Sequence, residues 1–450
     1  MEKEKFGSKL GFILAAAGSA VGLGNIWRFP YLVAQYGGGF FILIYLILAV
    51  TFGFSLMVTE IAIGRKTGKS VIGAYKDMNK HFSFLGFLAA LVPFIITPYY
   101  CVIGGWVLKY FATFVSGNGV LAAGEGEFFS NFIGSAASPT IFFIIYVILT
   151  SVAVIAGVQK GIEKISKIMM PLLLVLIVGI AIYTMTLDGA MEGVKYYLIP
   201  NFDDFSVAKL IKTVVGAMGQ LFYSMSIAMG IMVTYGSYMK KEDSIEKSAR
   251  QIEIFDTAVA LLAGLIIIPA AYAFSGGDTS SKGPGLMFIT LPNVFKVMPG
   301  GQIIGTLFFV LVALAALTSS ISLLETLVSI IMEKFNLKRF MASLISIAIV
   351  IAVGMLSVLG YSSWSNIKII GMQFLDFFDY ISNNILMPIV AFITCMLVGY
   401  VVKTGYVEEE ILHGEQTFKL RGMYRIMIRF VCPVCMIIIL LSSFIPALQA

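Results

Sequence analysis

The chain has 450 residues, of which 59% are hydrophobic and only 12% charged, with a mean hydropathy of +0.93. Soluble domains carry about 25% charged residues, so the composition excludes a water-soluble globular protein and predicts an all-α polytopic membrane protein. The net charge of +6 needs no nucleic-acid partner, because the basic residues follow a topological pattern.

At about 20 apolar residues per crossing, eleven spans are predicted: roughly 9–34, 39–64, 86–116, 139–157, 164–186, 208–238, 250–275, 300–332, 338–360, 366–398 and 421–446. The linkers are short, so residues 1–450 read as one transmembrane domain. Of 31 Lys and Arg, 23 fall at the N-terminus or in alternate loops: Lys3–Lys9, Arg65–Lys80, Lys160–Lys167, Lys240–Arg250, Lys334–Arg339 and Lys403–Arg429. The positive-inside rule makes those segments and the N-terminus cytoplasmic, and eleven crossings then put the C-terminus outside. Arg28-Phe29-Pro30-Tyr31 offers no small-residue cleavage site, so the first run reads as a span and not as a removed signal peptide.

That first run contains Gly18-Ser-Ala-Val-Gly22-Leu-Gly24-Asn25-Ile-Trp-Arg28-Phe-Pro30. Each glycine weakens a helix by about 1 kcal/mol relative to Ala. Asn25 and Arg28 are expensive in hydrocarbon, and irregular backbone is tolerated there only where it is buried in protein or lines a cavity. The stretch predicts a helix broken in mid-membrane, with carbonyls free to meet a cation. A second interruption, Ser224-Met-Ser226-Ile-Ala-Met229-Gly230, lies in the sixth run. Paired interruptions in corresponding positions point to a transporter site at the interface of inverted repeats. Spacing places the first repeat at about 9–186 and the second at about 208–398, with an extra helix at 421–446. Close helix packing is the competing explanation for either glycine cluster alone.

Other polar residues inside the runs carry two readings each. Glu60 is either a snorkelling acid or a buried carboxylate that accepts hydrogen bonds from a broken helix. Tyr99 and Tyr100 follow Pro98 within the third run, where a hydroxyl faces either a ligand or packing. Asp256, among Ile254, Phe255, Ala258 and Val259, is a functional candidate by its cost, or else a helix-end acid in water. Thr318-Ser319-Ser320 either serve a site or bond back to their own helix. Asp376 and Asp379 share a helix face and are placed to answer Arg28 across a vestibule. Cys432-Pro-Val-Cys435 has redox or metal spacing but no ligand cluster, and reads with Cys101 and Cys395 as small apolar residues. Outer segments near 187–207 and 276–299 are expected to hold short surface helices.

Gly22-Leu-Gly-Asn-Ile-Trp-Arg-Phe-Pro30, Gln220 through Gly230 and Thr318-Ser319-Ser320, in that order, closely resemble the signatures of the neurotransmitter:sodium symporter family. The resemblance runs through the tenth span, with the bacterial amino-acid transporters as its nearest branch. It implies a 5+5 inverted-repeat fold with helices 1 and 6 broken, and two sodium sites. One site would use the Ala20 carbonyl, Asn25, Ser224, Asp256 and the carboxylate of the substrate. The other would use the carbonyls of Gly18, Val21 and Ala315 and the hydroxyls of Thr318 and Ser319. The substrate carboxylate would meet the Tyr100 hydroxyl and the N–H groups around Gly22 and Gly24. Its amine would meet carbonyls near Ser19, Tyr223 and Ser226, and Ile96, Tyr223, Met229, Ser319 and Leu323 would hold its side chain. Arg28 with Asp379 would form an outer gate; Lys3, Phe6, Tyr238 and Glu333 would form an inner one.

Departures from the family pattern sharpen the expectation. Monoamine members carry an acid where this chain has Gly22, so the substrate is expected to bring its own carboxylate. Asp256 stands where many relatives have Asn, so chloride is not expected to be required. The chain has eleven spans where many relatives have twelve. Gly161 and Pro171 match the spacing of bacterial relatives whose fifth helix unwinds to let water reach the second sodium; an ordinary proline near a helix start is the alternative. The function expected is sodium-coupled import, by alternating access, of a neutral, bulky hydrophobic or aromatic L-amino acid across a bacterial inner membrane. The rivals are a carrier of an amine, betaine or GABA-like solute and a non-transporting sensor on the same fold. A channel lacks a repeated filter. An enzyme lacks a nucleophile–base or metal set, since His81 and His413 lie in loops.

Overall fold

A computed structural model of the chain describes residues 4–124, 126–203, 206–275, 284–414 and 417–444. Lys3, expected at an inner gate, lies outside the described residues. The described residues form helices, with only two isolated bridge pairs besides. Among the described residues nine helices are long and apolar enough to cross a membrane, and a bent pair, Lys9–Ala20 with Gly24–Tyr36, makes ten. The sixth position is split into Val207–Ser224 and Ile231–Tyr238, and neither half spans alone. Counting it gives the eleven positions read from the sequence.

Helix starts and stops follow local chemistry. Ser8 caps the first helix by accepting the Gly11 N–H at 3.1 Å, a bond that satisfies one orphan donor of the first turn. That helix ends at Val21, whose ψ of 99° is extended, and the chain resumes at Gly24 with a bend of 52°. Between the two halves of the sixth span, Ser226, Ala228 and Gly230 all adopt positive φ, at 53°, 61° and 72°. For the first two residues that conformation costs about 1–3 kcal/mol each and persists only when its surroundings enforce it.

Several boundaries differ from the apolar runs. The third span begins at Ser83 and the seventh at Ile245, ahead of the predicted starts at 86 and 250: Phe84 and Leu85 extend the apolar run of the third, and the polar Glu246-Lys247-Ser248 end of the seventh projects beyond the hydrocarbon. The tenth begins at Phe374 rather than near 366, because Ser362 through Gly371 fold into turns, with Ile370 and Gly371 at positive φ. Short helices stand at Ala190–Leu198 and Leu286–Val297, within the two outer segments where they were expected. Val71–Met78, Glu127–Gly134 and Gly405–Leu412 are further connecting helices that the span reading did not separate. All four cysteines are free and buried.

Two glycines set the tightest helix contact near the site. A Cβ on Gly64 would lie 1.9 Å from the Val233 carbonyl oxygen, and one on Gly236 would lie 2.4 Å from that of Ile61. The second span, Gly39–Thr67, therefore meets Ile231–Tyr238 main chain to main chain. Small residues allow such approach between membrane helices.

Candidate functional site

The two breaks face each other in the protein interior. At the first, the Gly22 N–H donates to Asn25 Oδ1 at 3.1 Å. The Asn25 amide nitrogen then donates to Ser224 Oγ at 3.0 Å, Asp256 Oδ1 at 2.7 Å and the Asp256 carbonyl at 3.1 Å. Ser224 Oγ donates to the Asp256 carboxylate at 2.7 and 2.9 Å. Asn25 and Asp256 are fully buried, and Asp256 has no ion-pair partner among the described residues. A buried carboxylate without a countercharge is costly, and a hard cation would supply one.

The second cluster joins the first and eighth spans. Ser319 Oγ lies among main-chain oxygens of Ser19 (3.0 Å), Val21 (3.2 Å), Ala315 (3.3 Å) and Gly18 (3.4 Å). Thr318 Oγ1 donates to the Ala315 carbonyl at 3.0 Å and to that of Leu314 at 3.1 Å. Gly18 permits this approach, since a Cβ there would lie 3.1 Å from Thr318 Cβ. The hydroxyls do bond back to their own helix, but Ser319 also reaches across to the opened first span. Both clusters are rich in oxygen, the donor type that hard cations take.

Between them lies a narrow cavity of ≈ 20 Å³. Ser19, Ala20, Gly22, Gly24, Ile96, Tyr100, Tyr223, Ser226, Met229, Ser319 and Leu323 line it, as do Leu23 and Ile231, which sequence reasoning did not select. Both lie beside the breaks, and that adjacency was the signal available. A space of this size holds about one water, so a larger ligand requires side chains such as Tyr223, Met229 or Leu323 to turn. The polar end is formed at the first break: Tyr100 Oη accepts the Leu23 N–H at 3.3 Å, and Gln220 donates to the Gly24 carbonyl at 2.9 Å. Gly22 and Gly24 keep this end open. A Cβ on Gly22 would lie 2.7 Å from Ser319 Oγ, and one on Gly24 would lie 2.4 Å from the Tyr223 ring. At the other wall Ser226 Oγ donates to the Ser19 carbonyl at 3.0 Å, and Ser322, also unselected, donates to Ser19 Oγ at 2.6 Å. Glu60 is buried and its Oε1 accepts the Ala228 N–H at 2.7 Å, so it supports the opened sixth span.

Above Tyr223 a second cleft of ≈ 380 Å³ is lined by Arg28, Tyr31, Gln35 and Asn383, and Tyr223 belongs to both spaces. The Arg28 guanidinium lies 5.5 Å from the Tyr223 ring centre and donates to the Gly219 carbonyl at 3.5 Å. Asp379 accepts from Tyr99 at 3.1 Å and Asn383 at 2.6 Å. Arg28 and Asp379 line one cleft but form no direct ion pair here. Tyr99 and Tyr100 divide their roles because adjacent helix residues point in different directions.

At the opposite end the Phe6 N–H donates to the Tyr238 carbonyl at 3.1 Å. The Phe6 ring packs edge-on against Phe12, Tyr235 and Tyr238. Tyr238 Oη donates to Glu325 Oε1 at 2.7 Å, and Arg339 grips the same carboxylate at 2.7 and 3.0 Å. Glu333 accepts the Ser70 N–H at 2.5 Å. The carboxylate shown bonded to Tyr238 is thus Glu325, eight residues before Glu333. The N-terminal strap also ties to the start of the fifth span. Glu4 accepts the Val158 N–H at 2.7 Å, and Glu163 accepts from the Gly7 N–H at 2.7 Å and Ser8 Oγ at 2.8 Å. That start, Val158–Glu163, is a π-helical turn containing Gly161.

The model of the sodium:neurotransmitter symporter family matches residues 3–123 and 129–449. An uncharacterized sodium-dependent transporter of Bacillus subtilis is 35% identical, with 97% of each chain covered. An uncharacterized sodium-dependent transporter of Haemophilus influenzae is 32% identical, with 98% of each chain covered. The crystal structure of MhsT in complex with L-phenylalanine is similar with a TM-score of 0.87 and 35% identity, over 98% of this chain and 100% of that one.

Proposed function

The chain belongs to the sodium:neurotransmitter symporter family, and from that premise we propose that it imports a neutral, bulky hydrophobic or aromatic L-amino acid together with two sodium ions. It is a sodium-dependent, multi-pass membrane symporter of that fold, and its family consists of transporters, not enzymes. The observation that carries the substrate reading is the wall shared by the small cavity and the Asn25–Ser224–Asp256 cluster, for Gly22 belongs to the cavity lining and donates to Asn25.

In this reading the first sodium sits against Asn25, Ser224, Asp256 and the Ala20 carbonyl. Its oxygens come from Asn25 Oδ1, which also accepts the Gly22 N–H at 3.1 Å, from Ser224 Oγ and from the Asp256 carboxylate. The carboxylate of the substrate lies at the polar end, near Tyr100 and the N–H groups around Gly22 and Gly24, where a half-helix N-terminus favours an anion. Its amine faces main-chain oxygens near Ser19, Tyr223 and Ser226. Ile96, Met229, Leu323 and Tyr223, with Ile231, take the side chain, and their apolar character supports a hydrophobic one. The complex of MhsT with L-phenylalanine supports the same class. The second sodium takes the carbonyls of Gly18, Val21 and Ala315 with Thr318 and Ser319.

Coupling follows from contact: ion and carboxylate each stabilise the other, and linkage makes the effect reciprocal. The membrane potential contributes about 2.3 kcal/mol per charge per 100 mV, so two sodium ions can drive accumulation. Tyr223, Arg28 and Asp379 close the outer side; Phe6 and Tyr238, with Glu325, Arg339 and Glu333, close the inner one. Loosening of the turn at Gly161 on the way to Pro171 gives water a route to the second sodium. Asp256 supplies the negative charge beside the first sodium, so chloride is not required. We place the repeats at about 9–186 and 208–398, and the N-terminus in the cytoplasm of a bacterium on the charge pattern.

Uptake of labelled amino acids into proteoliposomes, with and without an inward sodium gradient, tests the reading. Competition by phenylalanine, tryptophan, tyrosine and leucine is expected, and none by betaine, GABA or monoamines. Sodium-dependent binding without uptake would establish a sensor instead.

A further inference from the structure

A cleft of ≈ 510 Å³ opens at the N-terminal side of the membrane domain, away from the transport site. Ligand pockets run to about 300–1,000 Å³. Its walls are the connecting helix Val71–Met78, the start of the third span and the end of the eighth. Lys69, Lys76 and Lys334 bring three ammonium groups to it, against two carboxylates, Asp77 and Glu333. Both acids are engaged: Asp77 pairs with Lys69 at 2.7 Å, and Glu333 accepts the Ser70 N–H. Lys76 and Lys334 are exposed, and Lys334 Nζ lies 5.0 Å from the Phe87 ring centre.

Phe87 gives the cleft its second character. It lines the cleft while being 51% exposed, and Phe84 and Leu91, three residues before and four after, are 48% and 45% exposed. Residues at that spacing form one helix face, so an apolar ridge runs up the third span from the lysines. On a membrane helix such a ridge faces acyl chains. A cationic cleft with hydrocarbon on one side matches a molecule with an anionic head and an apolar tail. A soluble anion would use the lysines alone, and a zwitterionic lipid would gain little from them. Basic pockets at the ends of membrane helices are known to hold anionic headgroups.

We propose that this cleft binds one anionic glycerophospholipid, its phosphate between Lys76 and Lys334 and an acyl chain along Phe84, Phe87 and Leu91. Because Glu333 and Ser70 join the cleft to the inner end of the eighth span, the bound lipid braces the connecting helix against that span.

The test uses the full chain, purified and delipidated in detergent. Native mass spectrometry and thermal unfolding follow titration with phosphatidylglycerol, phosphatidylcholine or inorganic phosphate. Phosphatidylglycerol is expected to be retained at one copy and to raise the unfolding temperature; phosphatidylcholine and phosphate are not. K76Q/K334Q is expected to weaken phosphatidylglycerol binding about 25-fold, at roughly fivefold per lysine. K76R/K334R keeps the charge and restores binding, which separates the charge from any folding defect. Lys164→Gln, an exposed lysine elsewhere on the same side, leaves binding unchanged. Equal retention of phosphatidylcholine, or undiminished binding in K76Q/K334Q, overturns the proposal. Displacement of the lipid by inorganic phosphate alone shows an anion site without lipid selectivity and overturns it too.

Discussion

Tyr238→Phe removes one hydroxyl from the proposed inner closure and leaves its edge-on ring packing intact. The lost bond is the 2.7 Å donation to Glu325, whose side chain is fully buried. Hydrogen bonds to charged groups contribute about 1.5–3 kcal/mol. Glu325 keeps both bonds from Arg339, so no carboxylate is orphaned and the loss stays within that range. The open population of the inner side is then expected to rise roughly 12- to 140-fold, at tenfold per 1.4 kcal/mol. Hydrogen–deuterium exchange reads this directly, because the Phe6 amide is protected by the Tyr238 carbonyl and its exchange tracks the open fraction. Peptides covering residues 4–12 should exchange faster by that factor. Tyr75→Phe removes a buried hydroxyl bonded instead to Thr394 at 2.8 Å and should leave those peptides unchanged. If Tyr238→Phe folds normally and its strap exchanges as in the unmodified chain, the assignment of Glu325 to the inner closure is refuted.

Other outcomes are equally definite. Replacing chloride by gluconate should leave uptake by the unmodified protein unchanged, whereas Asp256→Asn should weaken sodium activation at least tenfold, about the worth of one charged hydrogen bond, and make it respond to chloride; the sodium dependence of initial rates checks both. Gly24→Ala would drive a Cβ to 2.4 Å from the Tyr223 ring, so equilibrium binding of phenylalanine should fall at least tenfold with little change in unfolding temperature. Glu408 joins the tenth and eleventh spans outside the membrane. Burial raises its pKa, but hydrogen bonds from Arg425, Thr404 and Arg421 outweigh that and bring it down to about 2. Such a carboxylate stabilises the fold above its unfolded pKa of about 4.5, and that contribution is lost as pH falls toward 2. The gap in unfolding temperature between the unmodified chain and Glu408→Gln should therefore be largest near neutrality and shrink below about pH 4.5.

Residues 18–30 announced themselves because polar and helix-weakening residues stand where hydrocarbon tolerates neither. Asp256 was legible for the same reason: an acid in an apolar run has a large energetic cost that something must offset. Glu325 was not. It lies in mid-helix between Leu324 and Thr326, and its partner Arg339 follows only after the chain has turned into the next span. The family resemblance pointed instead to Glu333, nearer the helix end. The positive φ of Ala228 was equally hidden, since alanine carries no local signal for that conformation and Glu60 holds it from another helix. The late start of the tenth span escaped because Ile367, Ile369 and Ile370 keep the hydropathy high through a segment folded in turns.

The paired glycines at 64 and 236 have a mechanical consequence. With backbone seated on backbone, no side-chain cushion lies between the two helices to absorb sliding. They must swing as a single lever, carrying Met229 and Ile231 along whenever Glu60 tilts. A covalent tether between residues 61 and 237 should then be silent in uptake assays, because it would only bolt together parts that already travel as one.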